Sequence, residues 1–284
     1  AGTIVDGEAG PGTAGGDRIA GLLDDALSDD DIKGLVVRVD SPGGSAAASD
    51  QIWDAVNRVK ASGKPVVISM GQYAASGGYY VAAPADKIVA MPTTITGSIG
   101  VLGGKVVIGD TLAKIGYNTE AISTGGEFGS AYSGFEPWNA ANFERMRTAM
   151  EAIYIDFTEI VAEGRGLPIE RVREIAKGRV WTGEQAKEIG LVDELGGFMK
   201  ALEAAKKLAE IDPETKVKIK TFPRPLTQAE QLEALFNVSA NAAMTIEDMN
   251  ALAESPEFKA LMRARAQMQQ DQGLQFKADL PEIR

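Results

Sequence analysis

Three short stretches carry residues that could do chemistry: "DSPGGSAAASD" at 40–50, "YAASGGYY" at 73–80 and "TTITGSIGV" at 93–101. Ser76 stands between two alanines and two glycines, in the setting of an exposed nucleophile. A serine hydroxyl attacks poorly unless a neighbouring base takes its proton. The chain has neither histidine nor cysteine. Ser76 is therefore either a packing residue or the partner of a different base. Gly43 and Gly44, following Pro42, would leave backbone N–H groups free to point into a cleft. A helix starting at Ser76 would add amides and a dipole that favour an anion. A hydroxyl beside two amide donors is what acyl transfer needs, because the tetrahedral intermediate places negative charge on oxygen. Each stretch alone has a plainer reading, since Gly-Gly marks turns and a helix-opening serine is a cap. The lipase-type G-x-S-x-G elbow does not match, because position 74 is alanine. The three stretches in this order, each beside an expected strand, turn the reading towards function.

The elements that would position them follow from periodicity. Residues 17–28 have helical spacing (Ile19, Leu22, Leu23, Leu27), and "IKGLVVRVD" is a β-branched run. Residues 46–61 repeat the helical pattern before Gly63. "KPVVISM" then reads as a strand buried on both faces, and "DKIVAM" as another. This βαβ rhythm predicts an α/β domain with a mostly parallel sheet and crossover helices, the three stretches gathering at its carboxyl edge. Residues 123–137, rich in Gly and Ser, read as a mobile loop, and a long helix is expected from Trp138 to Glu163. Another helix is expected near Pro168, and Thr182 with Gln185 forms a capping box. The "PRP" at 223–225 ends the pattern. Two parts are thus expected: a domain over 1–222, and a helical, charged extension over 223–284. The opening "AGTIVDG" reads as the second half of a strand, which suggests a fragment of a longer protein.

The 284 residues are 44% hydrophobic and 24% charged, a globular composition. A net charge of −11 argues against nucleic acid as a partner. Without cysteine there are no disulfides or thiolate metal sites, and neither metal nor cofactor is expected. No apolar run approaches the roughly 20 residues that span a bilayer.

"SPGGS", "YAASGGYY", "TTITGSIGV" and "VWTGEQAKEIGLVDELG" together resemble the signal peptide peptidase A family, membrane-bound bacterial serine peptidases that use a Ser–Lys dyad. The likeness runs from Ala1 to about Leu208. Clp protease subunits and crotonases share the Gly-Gly loop and the closing "GLVDELG". The resemblance implies a Clp protease/crotonase fold. In it Ser76 is the nucleophile, Gly44 and Gly77 supply the oxyanion hole with Gly43 and Gly78 beside them, and Ser98 orients the lysine base. In single-length members that lysine lies downstream of the serine. Here no lysine occurs between Lys114 and Lys177, and the corresponding stretch reads "GGEFGSAYSGFEPW". Among the lysines of this chain, Lys105 is the least implausible substitute base, because it follows "TGSIGVLGG". Double-length members divide the dyad between two homologous halves. By that pattern this chain resembles the serine-bearing carboxyl-terminal half, with the lysine supplied by an amino-terminal half.

The resemblance further implies signal peptides and other apolar peptides as substrates. It implies assembly into a ring of subunits and a place at the bacterial inner membrane, facing the periplasm, with the anchor outside this chain. The apolar stripe Phe143, Met146, Met150, Ile153, Phe157, Ile160 would serve that assembly or the chain's own core. Two other readings remain. One is a crotonase-type enzyme that uses the paired amides on an acyl-thioester without a serine nucleophile. The other is a non-catalytic assembly half.

Overall fold

The computed structural model describes residues 1–8, 10, 12–119 and 126–224. By contacts the chain divides into two units, Ala1–Phe222 and Pro223–Arg284. The helical extension expected at 223–284 lies, from residue 225 onward, outside the described residues. So does part of the Gly/Ser-rich loop.

The centre of the first unit is β4 (Val66–Ala75), the continuous apolar run anticipated above. It pairs in parallel with β3 (Leu35–Ser41) along one edge. Its other edge is shared: the first half takes β5 (Lys87–Ala90), the second half β6 (Ile95–Gly97), both parallel. β5 continues to β8 (Glu194–Leu195), and β6 to β7 (Val180–Thr182), the sheet's antiparallel strand. A separate parallel pair, β1 (Thr3–Val5) and β2 (Thr13–Gly15), lies over the loop that leaves β3.

Side chains alternate across a strand, so β4 needs cover on both faces. Ile68 and Met70 face a core that includes Ile52, Val56 and Val59 of α2 (Ala46–Ala61) and Leu23 of α1 (Gly16–Ser28). Val67 faces the opposite way, with Val36 and Val89. It meets Ala201, Ala204 and Ala205 of α8 (Phe198–Leu208), whose small side chains at helical spacing let that helix approach closely. Each fully buried branched side chain here contributes about 1.5–3 kcal/mol relative to exposure.

Where β3 reaches Asp40 the register slips: Val39 pairs with Met70, but Ser41 with Ala74. Asp40 Oδ1 fills the gap by accepting from the Tyr73 amide at 3.1 Å. The bulge bends the end of β4 and aims it at the Gly-Gly loop. After it come the short α3 (Gly77–Ala82) and, further on, α4 (Gly109–Lys114), α5 (Ala140–Arg165), α6 (Ile169–Ile175) and α7 (Gly183–Glu188). The α7 capping box forms as expected, Thr182 and Gln185 exchanging side-chain and backbone hydrogen bonds. The stripe on α5 divides. Phe157 is buried in the core together with Val161, while Phe143 near the helix start is exposed.

Candidate active site

β3 and β4 end side by side, so their exit loops meet. Ser76 sits at φ 52°, ψ −123°, a backbone conformation a non-glycine residue adopts only where its surroundings impose it. Its amide donates to Gly97 O at 2.9 Å. Its carbonyl accepts from the amides of Tyr79 and Tyr80 at 2.8 and 2.9 Å. The turn is thus fixed from both ends. Ser76 occupies the N-cap position of α3, yet its side chain makes no capping bond. That disposes of the cap reading and leaves the hydroxyl free among the described residues.

Gly43 shows how tightly the two loops meet. At φ +102°, an added Cβ would lie 2.7 Å from Gly77 N, 2.8 Å from Ser76 Cβ and 2.9 Å from Ala75 O. A Cβ on Gly77 would run into Ser49 Oγ and come within 3.3 Å of Gly44 N. The Gly44 and Gly77 amides therefore lie close to each other and to Ser76, and the hydrogen bonds of the described residues occupy neither. Gly78 packs against the Ser41 carbonyl instead. β1 holds the loop from the other side, Ile4 N donating to Gly43 O and Ser45 N to Ile4 O, both at 2.9 Å. Ser45 then caps α2, accepting from Ala48 N, and its hydroxyl donates to Asp6.

Ser98 follows directly on Gly97, the residue bonded to the Ser76 amide, so the third stretch joins the first two. It too has positive φ, 49°, and its amide donates to Arg179 O at 2.7 Å. Its hydroxyl has no partner among the described residues. The role of the β6–β7 pairing in placing Ser98 had no signal in the sequence, because it joins residues far apart in the chain.

No lysine ammonium among the described residues is bonded to either serine. Lys105 Nζ lies 3.5 Å from Ser130 O and 5.7 Å from the Trp138 ring centroid. Lys60 bonds Pro84 O and pairs with Asp86. Lys64 donates to the carbonyls of Ala26, Leu27 and Asp29, closing the end of α1. Lys87 pairs with Glu194 at 2.8 Å. Lys177 stands next to a segment tied to the third stretch: Gly178 N donates to Ile99 O at 2.9 Å, although the Lys177 side chain is exposed. Among the described residues no group of His, Cys, Asp and Glu could hold a metal ion, and no helix is long and apolar enough to cross a membrane.

The sequence profile of Peptidase family S49 matches residues 58–212, and that of Clp protease residues 19–96. Protease 4 of Salmonella typhi is 43% identical over 213 residues, covering 74% of this chain and 34% of its own. Protease 4 of Haemophilus influenzae is 41% identical over 216 residues, with 76% and 35% covered. The putative signal peptide peptidase SppA of Enterococcus faecium is 34% identical over 189 residues, with 66% and 55% covered. The chain spans about a third of the length of the Protease 4 relatives it matches.

Proposed function

The chain belongs to Peptidase family S49, and from that premise we propose that it is the serine-bearing part of an endopeptidase. Ser76 is the nucleophile, Gly44 and Gly77 form the oxyanion hole, and the lysine base comes from a second half or subunit. The observation that carries this reading is the strained Ser76, its hydroxyl uncommitted, set against two unoccupied amides. In the reaction, a neutral lysine accepts the Ser76 proton as Oγ bonds the scissile carbonyl carbon. The Gly44 and Gly77 amides hold the resulting oxyanion. Collapse expels the amine, which takes the proton back from the lysine. Water, deprotonated by the same lysine, then releases the acid. Ser98 holds the amine in line through its free hydroxyl. The lysine must be desolvated to stay neutral, since its ordinary pKa is about 10.4.

Exposed apolar side chains in the stretch that follows Ser98 along the chain favour an external partner. Leu102 is 100% exposed, Tyr132 85% and Val106 80%, with Tyr117 and Phe143 also open to solvent. Large apolar side chains left in solvent are what a partner would cover, here the lysine-bearing half and further copies of the chain. Signal peptides and other apolar peptides are the substrates we infer, from the name of the Enterococcus relative and the apolar surroundings of the site. A place on the periplasmic face of the bacterial inner membrane follows from the same reading.

The test is intact-mass analysis after exposure to a fluorophosphonate, for the chain alone and with the lysine-bearing half, against Ser76→Ala. Labelling only in the mixture, lost in Ser76→Ala, is the expected result. Labelling of the chain alone would move the base to Lys177 or Lys105. No Ser76-dependent label in a folded, associated mixture would end the peptidase reading.

A further inference from the structure

The two halves of the site stand at the starts of two helices. Gly44 leads through Ser45 into α2, and Ser76 leads into α3. A six-residue helix has little rigidity of its own, so the separation of nucleophile and amides depends on what ties α3 to α2. One side-chain hydrogen bond spans them: Tyr80 Oη donates to Asp50 Oδ1 at 2.7 Å. Tyr80 is also bonded to Ser76 itself, its amide donating to Ser76 O at 2.9 Å. Its ring is clamped against Phe157 of α5, centroids 4.9 Å apart. A rigid aromatic thus runs from the strained serine to the helix that carries the oxyanion loop.

We propose that Tyr80 and Asp50 are positioning residues, whose hydrogen bond sets the distance from Ser76 Oγ to the Gly44 amide. The inference rests on the reading of Ser76 as nucleophile given above. Asp50 is exposed and Tyr80 is nearly buried. Removing the carboxylate therefore leaves the core intact while freeing the end of the tie. Tyr79, its neighbour, reaches the other way to Leu191 O at 2.8 Å and anchors α3 to the closing segment rather than to the oxyanion loop.

The test compares Tyr80→Phe, Asp50→Ala, their combination and Asp50→Asn, which keeps an acceptor oxygen. Fluorophosphonate acylation is measured at saturation, in whichever sample labels the wild type. Each single variant should lower the maximal acylation rate roughly tenfold, as a lost charge-assisted hydrogen bond predicts, with unchanged probe affinity. The double variant should fall no further, and Asp50→Asn should recover most of the rate. A lower melting temperature with an unchanged maximal rate, or losses that multiply in the double variant, would overturn the proposal. Amide exchange at Tyr79 and Tyr80, whose N–H groups bond Ser76 O, gives a reading independent of chemistry. It should quicken in Tyr80→Phe while Val67–Ser69 stay protected. Should the wild type resist the probe, the nucleophile reading fails by itself and exchange alone decides the tie. Acceleration confined to those two amides upholds it, and equal rates overturn it.

Discussion

Replacing Gly43 with alanine tests how closely the Gly-Gly loop and the serine turn must fit. Two costs arise. At φ +102° an L-residue is strained, by roughly 1–3 kcal/mol. The new methyl also stands 2.7–2.9 Å from Gly77 N, Ser76 Cβ and Ala75 O, of which two are backbone atoms that cannot swing aside. Overpacking of this kind costs about 1–3 kcal/mol more. Gly63 provides the control, since its φ is +86° but a Cβ there meets nothing within 4 Å. Gly63→Ala bears the strain alone. For a unit of this size each kcal/mol moves the melting point by about 2–4 °C. Gly43→Ala should therefore melt roughly 2–12 °C below Gly63→Ala. Because the methyl pushes directly on Ser76, fluorophosphonate labelling should slow by roughly a hundredfold in Gly43→Ala and stay at the wild-type rate in Gly63→Ala. Two variants that melt together and label alike would refute the claim that the loops are in contact at their limit.

Three further outcomes are expected. Ser98→Ala should slow labelling roughly tenfold with unaltered melting, one hydrogen bond to the lysine being lost; an unchanged rate would remove Ser98 from the site. The Arg165 side chain is 6% exposed and paired with Asp193, whose other oxygen accepts from Ile88 N. Arg165→Met should cost about 3 kcal/mol in urea unfolding, and Asp193→Asn added to it should recover part of that. The hydrogen bond and charge of Lys87 hold the Glu194 carboxyl below its ordinary range. A depressed carboxyl stabilises at neutral pH, and the contribution is lost as pH falls through its folded value. Wild-type melting should thus drop more steeply than that of Glu194→Gln in acid, by an amount within about 1 kcal/mol, since solvent screens the pair.

The α/β rhythm was legible because each element carries its own period. The helix expected over 46–61 is α2. The long helix appears as Ala140–Arg165, shifted by two residues at each end, with Asn139 rather than Trp138 at its start. The continuous apolar run at 66–70 meant cover on both faces, which α2 and α8 provide. The meeting of the three stretches was also readable, through the rule that parallel strands gather their exit loops. Long-range pairings were not readable. The antiparallel β7 and the bulge at Asp40 depend on partners distant in sequence, and three-residue strands such as β2 carry too little pattern to stand out. Gly43, expected with Gly44 to leave its amide free to point into a cleft, instead donates it to Ser41 Oγ at 3.1 Å, and a Cβ there would meet Ser76, facts that composition cannot express. The segment around Lys177 carried no such signal either, because the Gly178–Ile99 and Ser98–Arg179 hydrogen bonds that tie it to the third stretch join residues far apart in the chain.

The backbone at the two serines narrows what evolution can write there. Both sit at positive φ, 52° at Ser76 and 49° at Ser98. Threonine offers the same hydroxyl, but its branched Cβ makes that conformation a genuine outlier. The exchange of serine for threonine, ordinarily among the mildest in a protein, is therefore closed at both positions. A related sequence with threonine at either one would have to rebuild the turn before it could use the oxygen.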